Sequence, residues 1–475
     1  MTAQTILPAN TLSSGSYEVA NSARFNDGSS DNLERDYGTP TNAKIFGLSW
    51  WVKLGKAFDG SGSQDFWGER ADGSNRVFMG INADGTFQYF EKTGGSTTLD
   101  IKTNRLFRDN SSWFHFLLLG DSTQGTNSNR LKLYVNGVQE TSLNTASYPA
   151  EDYTFRLNST TTKYFGRIGL GGSLSTNYYD GYLAEAVFVD GTVTTNTDYG
   201  EFDSESTTIW KPIDVSGLTF GDNGFHLDFE DSSALGADVS GNSNNFTVNN
   251  LTAIDQTTDT CTNNYATLNP LLDVNAHPTY SEGNLKFAGT GSTNFVGATI
   301  PVSSGKWFVE VKCTTASGSY PIIGVIDSQS TKRRATDYFV GSDTSATNPS
   351  GFAVFTNGDI YHNGDNNFSN LTTTYGNGDI IGLALNMDAA TKTLGFYKNG
   401  TLEVTVNLDA PPSGAYMFAS AIHSSTSGAV GEFNFGNPPF SISSGNADGN
   451  GYGSFEFSVP SGYYALNTKN LAEYG

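Results

Sequence analysis

Residues 130–138 read RLKLYVNGV. On an extended chain Leu131, Leu133 and Val135 fall on one side and Lys132 and Tyr134 on the other. The Asn136-Gly137 pair that follows accepts positive φ at both positions, as a type I′ turn requires. The stretch therefore predicts a strand with one buried face, leading into a hairpin. Residues 392–406, KTLGFYKNGTLEVTV, repeat the design around Asn399-Gly400. Asp84-Gly85 lies between FMGIN and TFQYF, and Asn357-Gly358 between GFAVF and DIYHN, marking two more hairpins. No window carries a sustained 3.6-residue period with caps. Gly contributes 54 of 475 residues, aromatics 13% and Asp, Glu, Lys and Arg only 16%. That balance suits many short strands joined by tight turns and does not suit helices. The expected fold class is all-β.

At roughly 100–200 residues per domain, the length allows two to four domains. Residues 49–54 (SWWVKL) and 306–312 (KWFVEVK) each place Trp before alternating Val and charge. Trp51 precedes Asn136 by 85 residues and Trp307 precedes Asn399 by 92. Two tandem antiparallel β-sandwiches of related topology would produce this spacing. The expected organisation is an N-terminal arm over 1–19, a first sandwich over 20–230, a polar connector over 231–264, a second sandwich over 265–459 and a tail over 460–475. Residues 217–230 (GLTFGDNGFHLDFE) alternate and are expected to return as an edge strand. The connector is rich in Ser, Asn, Thr and Asp and reads as extended chain rather than strands. The tail opens on the turn Pro460-Ser461-Gly462 and is expected to dock as a final strand or to meet a neighbour.

The formal charge is −22. Such a surface repels nucleic acid, whose affinity comes largely from Lys and Arg on phosphates, and repels anionic membranes. Cys261 and Cys313 have no metal-ligand spacing. The first residues lack the basic and apolar regions of a signal peptide. The longest near-apolar run, Trp113–Leu119, is too short to span a bilayer. The expectation is a chain made in the cytoplasm, with no nucleic-acid partner and no membrane insertion.

Longer stretches carry two family resemblances. SARFNDGSSDNLERDY, SWWVKL, SSWFHFLLLGDST, SNRLKLYVNGVQ and DGYLAEAVFVDGT, within residues 20–230, resemble a laminin-G or concanavalin A-like jelly roll. GKWFVEVKC, IIGVID, GFAVFTNGDIYHNG, YGNGDIIGLALNMDAATKTLGFYKNG and GAVGEFNFG, within 265–440, resemble a SPRY domain. Together with the run from Asp238 to Asn250 and the ending at 464–471, the arrangement is similar to structural proteins of bacteriophages. The resemblance implies a virion location and a tail-tip, short-fibre or head-fibre adhesin. Its partners would be other virion proteins and a host-surface glycan or other receptor. Appendages of this kind are commonly trimeric, which makes a homotrimer one of the assemblies implied.

Glu201, Asp203 and Glu205 alternate as in glycosidases of the concanavalin A-like fold. Their flanks, TNTDYG and STT, read instead as a polar loop without the apolar cleft that glycoside hydrolysis needs. No histidine has HxH or HExxH spacing, and His115, between Phe114 and Phe116, reads as a satisfied sheet-face residue. No catalytic residue is assigned. The only cofactor left open is Ca²⁺, which laminin-G-like relatives hold through loop oxygens; Asp59, Asp65, Asp180 and Asp190 are its candidates against a plain reading as turn residues. Trp50 and Trp51 point to opposite faces, so one is core and the other needs a cover. Ligand-binding candidates are Trp50, the loop-tip set Tyr178, Tyr179 and Asp180, and the basic run Lys332, Arg333 and Arg334. Flat rings beside fixed polar groups suit a sugar, and a basic spot suits an anionic one. A glycan-binding adhesin is the first expectation, a capsid-decorating or tail-joining protein the alternative, and a glycan-degrading enzyme the third.

Overall fold

The computed structural model describes residues 17–55, 62–170, 173–272, 278–290, 294–318, 321–330, 340, 351–422 and 427–475. The protein is all-β and divides between Thr262 and Asn263 into two compact units, each a sandwich of antiparallel sheets. In the first unit one sheet runs, in spatial order, Val138–Gln139, Leu131–Val135, Trp113–Asp121, Ile45–Leu54, Gly181–Asp190, Ser22–Phe25 and Gln256–Thr257. Phe225–Leu227 pairs with Gly181–Asp190, the edge return expected of 217–230. The facing sheet runs Leu143–Ser147, Ser96–Leu106, Thr86–Thr93, Asn75–Ile81, Gln64–Asp72, Thr162–Phe165, Asn32–Asp36 and Thr247–Asn249. Alternate residues of both sheets fill the space between them, with Trp50, Phe66, Phe87 and Phe116 at its centre.

The second unit repeats the plan. Its central strand Lys306–Thr315 lies between Ser427–Asn434 and Ile380–Asn386, and Thr393–Lys398 and Thr401–Asn407 follow. The opposite sheet is built around Ile322–Asp327 and Tyr416–Ile422. The Asn-Gly hairpins occupy equivalent positions in the two units. Asn136 and Gly137 have φ of 48° and 75°, and Asn399 and Gly400 have 47° and 80°. Each Asn backbone N–H donates at 2.9 Å to the carbonyl of the adjacent strand's residue, His115 or Ile380. Its side-chain carbonyl accepts that residue's N–H, at 2.8 Å and 2.9 Å. Asn136→Val is therefore expected to cost about 2 kcal/mol, through left-handed strain and loss of the bond to His115. Urea denaturation reads this directly, and an unchanged midpoint would contradict it.

The internal likeness is offset by one residue from the sequence alignment. Trp50, not Trp51, matches Trp307: both rings point into their cores, while Trp51 and Phe308 sit on the outer faces. Those outer faces carry a further layer.

One expectation is corrected. Residues 231–262 are not a free connector but the closing belt of the first sandwich. Thr247–Asn249 and Gln256–Thr257 add a strand to each sheet. Between them, polar side chains stand in for ladder partners. The Asp238 carboxylate accepts the N–H groups of His226 (2.9 Å), Ser240 (2.9 Å) and Asn244 (2.8 Å). Asn250 Nδ2 donates to the carbonyls of Ser29 (2.9 Å) and Ser30 (3.1 Å). The belt ends at Asp259, whose Oδ2 lies 2.7 Å from Lys53 Nζ in the interior. The tail docks on the second sandwich, the first of its two expected placements. Tyr464–Ala465 pairs in parallel with the Trp307 strand, and Thr468–Tyr474 forms a short helix that sends Leu471 into the core. Asn467 caps that helix by accepting the Asn470 N–H at 2.9 Å.

Candidate functional site

The outer face of the first sandwich's long sheet is apolar. Leu117 and Leu119 lie opposite Tyr134 and Lys132, and Val187 and Val189 continue the row. Segment 193–220 covers most of it, laying Tyr199, Val215 and Phe220 on the strands. Two glycines permit this approach. A Cβ at Gly47 would stand 2.1 Å from Tyr199 Oη, and one at Gly137 would stand 2.1 Å from the Trp210 ring. The cover stops short of the Leu131–Val135 strand and leaves a cleft of about 300 Å³ there. Phe46, Leu119 and Gly120 lie along it with Tyr134 and Val193, which is 64% exposed.

The polar walls of this cleft are fixed by their own bonds. Asp121 Oδ1 accepts the Thr123 N–H (3.1 Å) and hydroxyl (2.6 Å), and Oδ2 accepts Gln124 Nε2 (2.6 Å). Partial burial works to raise the Asp121 pKa, but these bonds outweigh it and hold the carboxyl below its ordinary value. Arg130 ties the same loop down through the carbonyls of Gln124 (2.7 Å) and Pro149 (3.1 Å). On the other wall, Thr195 and Asp198 form a capping box, and Asn196 Nδ2 donates to the Gly137 carbonyl at 3.2 Å. Burial raises the Tyr134 phenol above its ordinary pKa, so its hydroxyl remains a neutral donor and acceptor.

A second cleft, of about 240 Å³, opens on the other side of the same strand, toward Ile101, Leu143 and Tyr148. Asn129 and Lys132 line both clefts. An apolar floor, a tyrosine and amide, hydroxyl and ammonium groups around it make a surface that can hold a sugar ring and its hydroxyls.

Most candidates read from the sequence lie elsewhere. Trp50 is 1% exposed and faces the core, so it is not available to a ligand. Tyr179 is corrected for the same reason: it is 1% exposed, with its hydroxyl 2.8 Å from the Lys53 carbonyl and 3.0 Å from that of Tyr182. Asp180 is also buried, with its N–H donating to Gln64 Oε1 at 2.9 Å. Tyr178 is half-buried under the Arg167 guanidinium, 5.3 Å from its ring centroid. Lys332, Arg333 and Arg334 lie outside the described residues, as does Asp59. Lys132 and Tyr134 were legible as the outer face of a strand, but nothing in their spacing marked a cleft.

The remaining calcium candidates do not assemble a site. Asp190 accepts Thr41 N (2.7 Å), Asn42 N (3.3 Å), Asn158 Nδ2 (2.6 Å) and Asn223 N (3.1 Å), which occupies both oxygens and makes it a loop anchor. Asp65 Oδ1 accepts the Ser63 hydroxyl at 3.1 Å, and its buried Oδ2 has no hydrogen-bond partner among the described residues. That oxygen suits a hard cation, but among the described residues no three His, Cys, Asp or Glu side chains are placed to share a metal ion. Glu201 and Asp203 both approach Lys211, at 3.5 Å and 3.1 Å, and Asp203 closes a turn by accepting the N–H groups of Glu205 and Ser206. Only Glu201 of the three carboxylates lies in a strand.

The described histidines are internal struts. His115 Nδ1 accepts the Trp210 indole N–H at 3.0 Å, which leaves Nε2 to donate to Ser49 at 2.8 Å; burial pushes its pKa to about 3. His226 faces Glu185 at 2.9 Å, and His362 faces Asp409 at 3.0 Å while stacking on Phe352. His277 and His423 lie outside the described residues.

No family model matches the chain, and no curated protein matches it in sequence. Among solved structures it is similar to a heptameric SAP-like pentraxin from Limulus polyphemus, at 14% identity and a TM-score of 0.28, over 38% of this chain and 82% of that one. The SPRY domain of human HERC1 matches at 19% identity and a TM-score of 0.26, over 31% of this chain and 87% of that one. The LG1-3 region of the laminin alpha2 chain matches at 10% identity and a TM-score of 0.33, over 88% of this chain and 62% of that one. No ligand or site is carried over from them. Among the described residues no helix is long and apolar enough to cross a membrane.

Proposed function

We propose that this chain is an adhesin of a bacteriophage virion, at a tail tip, short fibre or head fibre, and that its first sandwich holds a host-surface saccharide at the Tyr134 strand. The supporting observation is the cleft itself: an apolar floor and a tyrosine, walled by polar groups already fixed by loop hydrogen bonds. A site so prepared loses little ordering entropy when a ligand enters. The virion setting comes from the sequence resemblance, and the protein acts by binding without a chemical step. Arraying the full chain against bacterial surface saccharides tests the reading. Tyr134→Ala is expected to weaken the best saccharide about tenfold, on the order of 1.4 kcal/mol, with the near-ultraviolet dichroism unchanged. An intact chain that retains no saccharide on the array would end this reading.

A further inference from the structure

We propose that the saccharide is anionic, an oligosaccharide whose acid group meets Lys132 while adjoining rings occupy the clefts on either side. This rests on the saccharide reading above and adds the charge and the reach of the ligand. Lys132 stands on an otherwise apolar row, opposite Leu119 and two residues from Tyr134. It lines both clefts, and among the described residues its ammonium has no hydrogen bond and no ion pair. In a chain of formal charge −22, Lys132 thus stands beside two clefts with its charge unmatched by a carboxylate of the described residues.

The two acids that share these walls are already engaged. Asp121 is tied to Thr123 and Gln124, and Glu140 accepts the Ser142 N–H at 2.9 Å. Neither forms an ion pair with Lys132. An acid group on a ligand would supply that counter-charge, at a half-buried position where a charged pair is less screened than on open surface. A neutral sugar would leave the ammonium to solvent and gain nothing from its charge. The overall negative field opposes long-range steering of such a ligand, so Lys132 contributes to selection among saccharides rather than to encounter rate. Because both clefts share Lys132 and Asn129, a chain of two or more sugar units can keep the acid at the lysine and extend either way.

Carboxylate and phosphate offer Lys132 the same chemistry, so the test carries both. Isothermal titration of the full chain would use oligogalacturonate beside its carboxyl-reduced form, and a phosphorylated lipopolysaccharide core oligosaccharide before and after dephosphorylation. At least one anionic probe is expected to bind about tenfold tighter than its neutral counterpart. Lys132→Gln should remove that margin by weakening the anionic form far more than the neutral one, and Lys132→Arg should keep most of it. Equal binding of charged and neutral forms, or a margin that survives Lys132→Gln, overturns the anionic preference and leaves the saccharide reading standing. Failure of every probe here and of every saccharide on the array overturns both.

Discussion

Asp259→Ala is expected to lower the stability of the first sandwich by about 3–5 kcal/mol, the usual effect of removing one partner from a buried ion pair. Asp259 and Lys53 are both fully buried, and their side chains meet at 2.7 Å. The other carboxylate oxygen accepts the Trp113 indole N–H at 3.1 Å, and the Asp259 carbonyl accepts the Ser22 hydroxyl at 2.6 Å. Lys53 lies in the strand Ile45–Leu54, so alanine would take from its buried ammonium the carboxylate it meets at 2.7 Å. Burial already lowers the Lys53 pKa, opposed chiefly by Asp259, and removing that carboxylate would lower it further. Small domains hold only about 5–15 kcal/mol in total, so the loss should be plain in the first unfolding transition of a urea titration. The second sandwich is the internal control. Lys53→Met combined with Asp259→Leu should recover most of the stability, because an apolar pair carries no desolvation cost. A loss under 1 kcal/mol for Asp259→Ala would show that the belt is held by its strand pairing and asparagines instead.

Asp65→Asn should act in the opposite direction and stabilise the first sandwich above neutral pH. The Asp65 side chain is buried beside a single hydroxyl donor, and burial pushes its pKa from 3.8 to about 7. The folded state therefore binds a proton more tightly than the unfolded chain. Stability from this group is complete below about pH 4 and is lost as pH rises to about 7. A rise of that size corresponds to about 4 kcal/mol. Asparagine keeps the shape without the charge, so the urea midpoint of Asp65→Asn should gain on that of the wild-type first transition between pH 4.5 and 8, over a background both share from His115, which burial holds neutral. Glu310 gives the second sandwich a slope of the same sign, since burial raises it to about 7 despite bonds from the N–H groups of Phe457 and Glu456 and from Asn434. That second slope should persist in Asp65→Asn. A first-transition slope unchanged by the substitution would place the pH dependence in another group.

The strands and their inward faces were legible because alternation and Asn-Gly turns are local signals. Leu131, Leu133 and Val135 point inward as read, and both hairpins have the predicted left-handed pairs. Alternation names two faces but does not say whether the outer one is covered. Trp51, His115 and Leu117 are buried because distant residues such as Trp210, Tyr199 and Val215 lie over them. The polar belt is not legible in the sequence for a related reason: asparagine and aspartate signal a loop whether their side chains meet water or a strand's carbonyls and N–H groups. The cleft joins Phe46, Lys132 and Val193, which no short window contains. Tyr179 looked like a loop tip because Asp180-Gly181 follows it, yet those residues lead directly into a buried strand.

The belt also bears on inheritance. With the first sandwich closed by its own residues through Thr262, a genetic crossover at the Thr262–Asn263 junction transmits that sandwich with its interior sealed. A crossover between residues 231 and 245, early in the polar run read as a connector over 231–264, would leave the recipient without two strands and the counter-ion of Lys53. Lineages that shuffle such modules should keep residues 231–262 with the first of them.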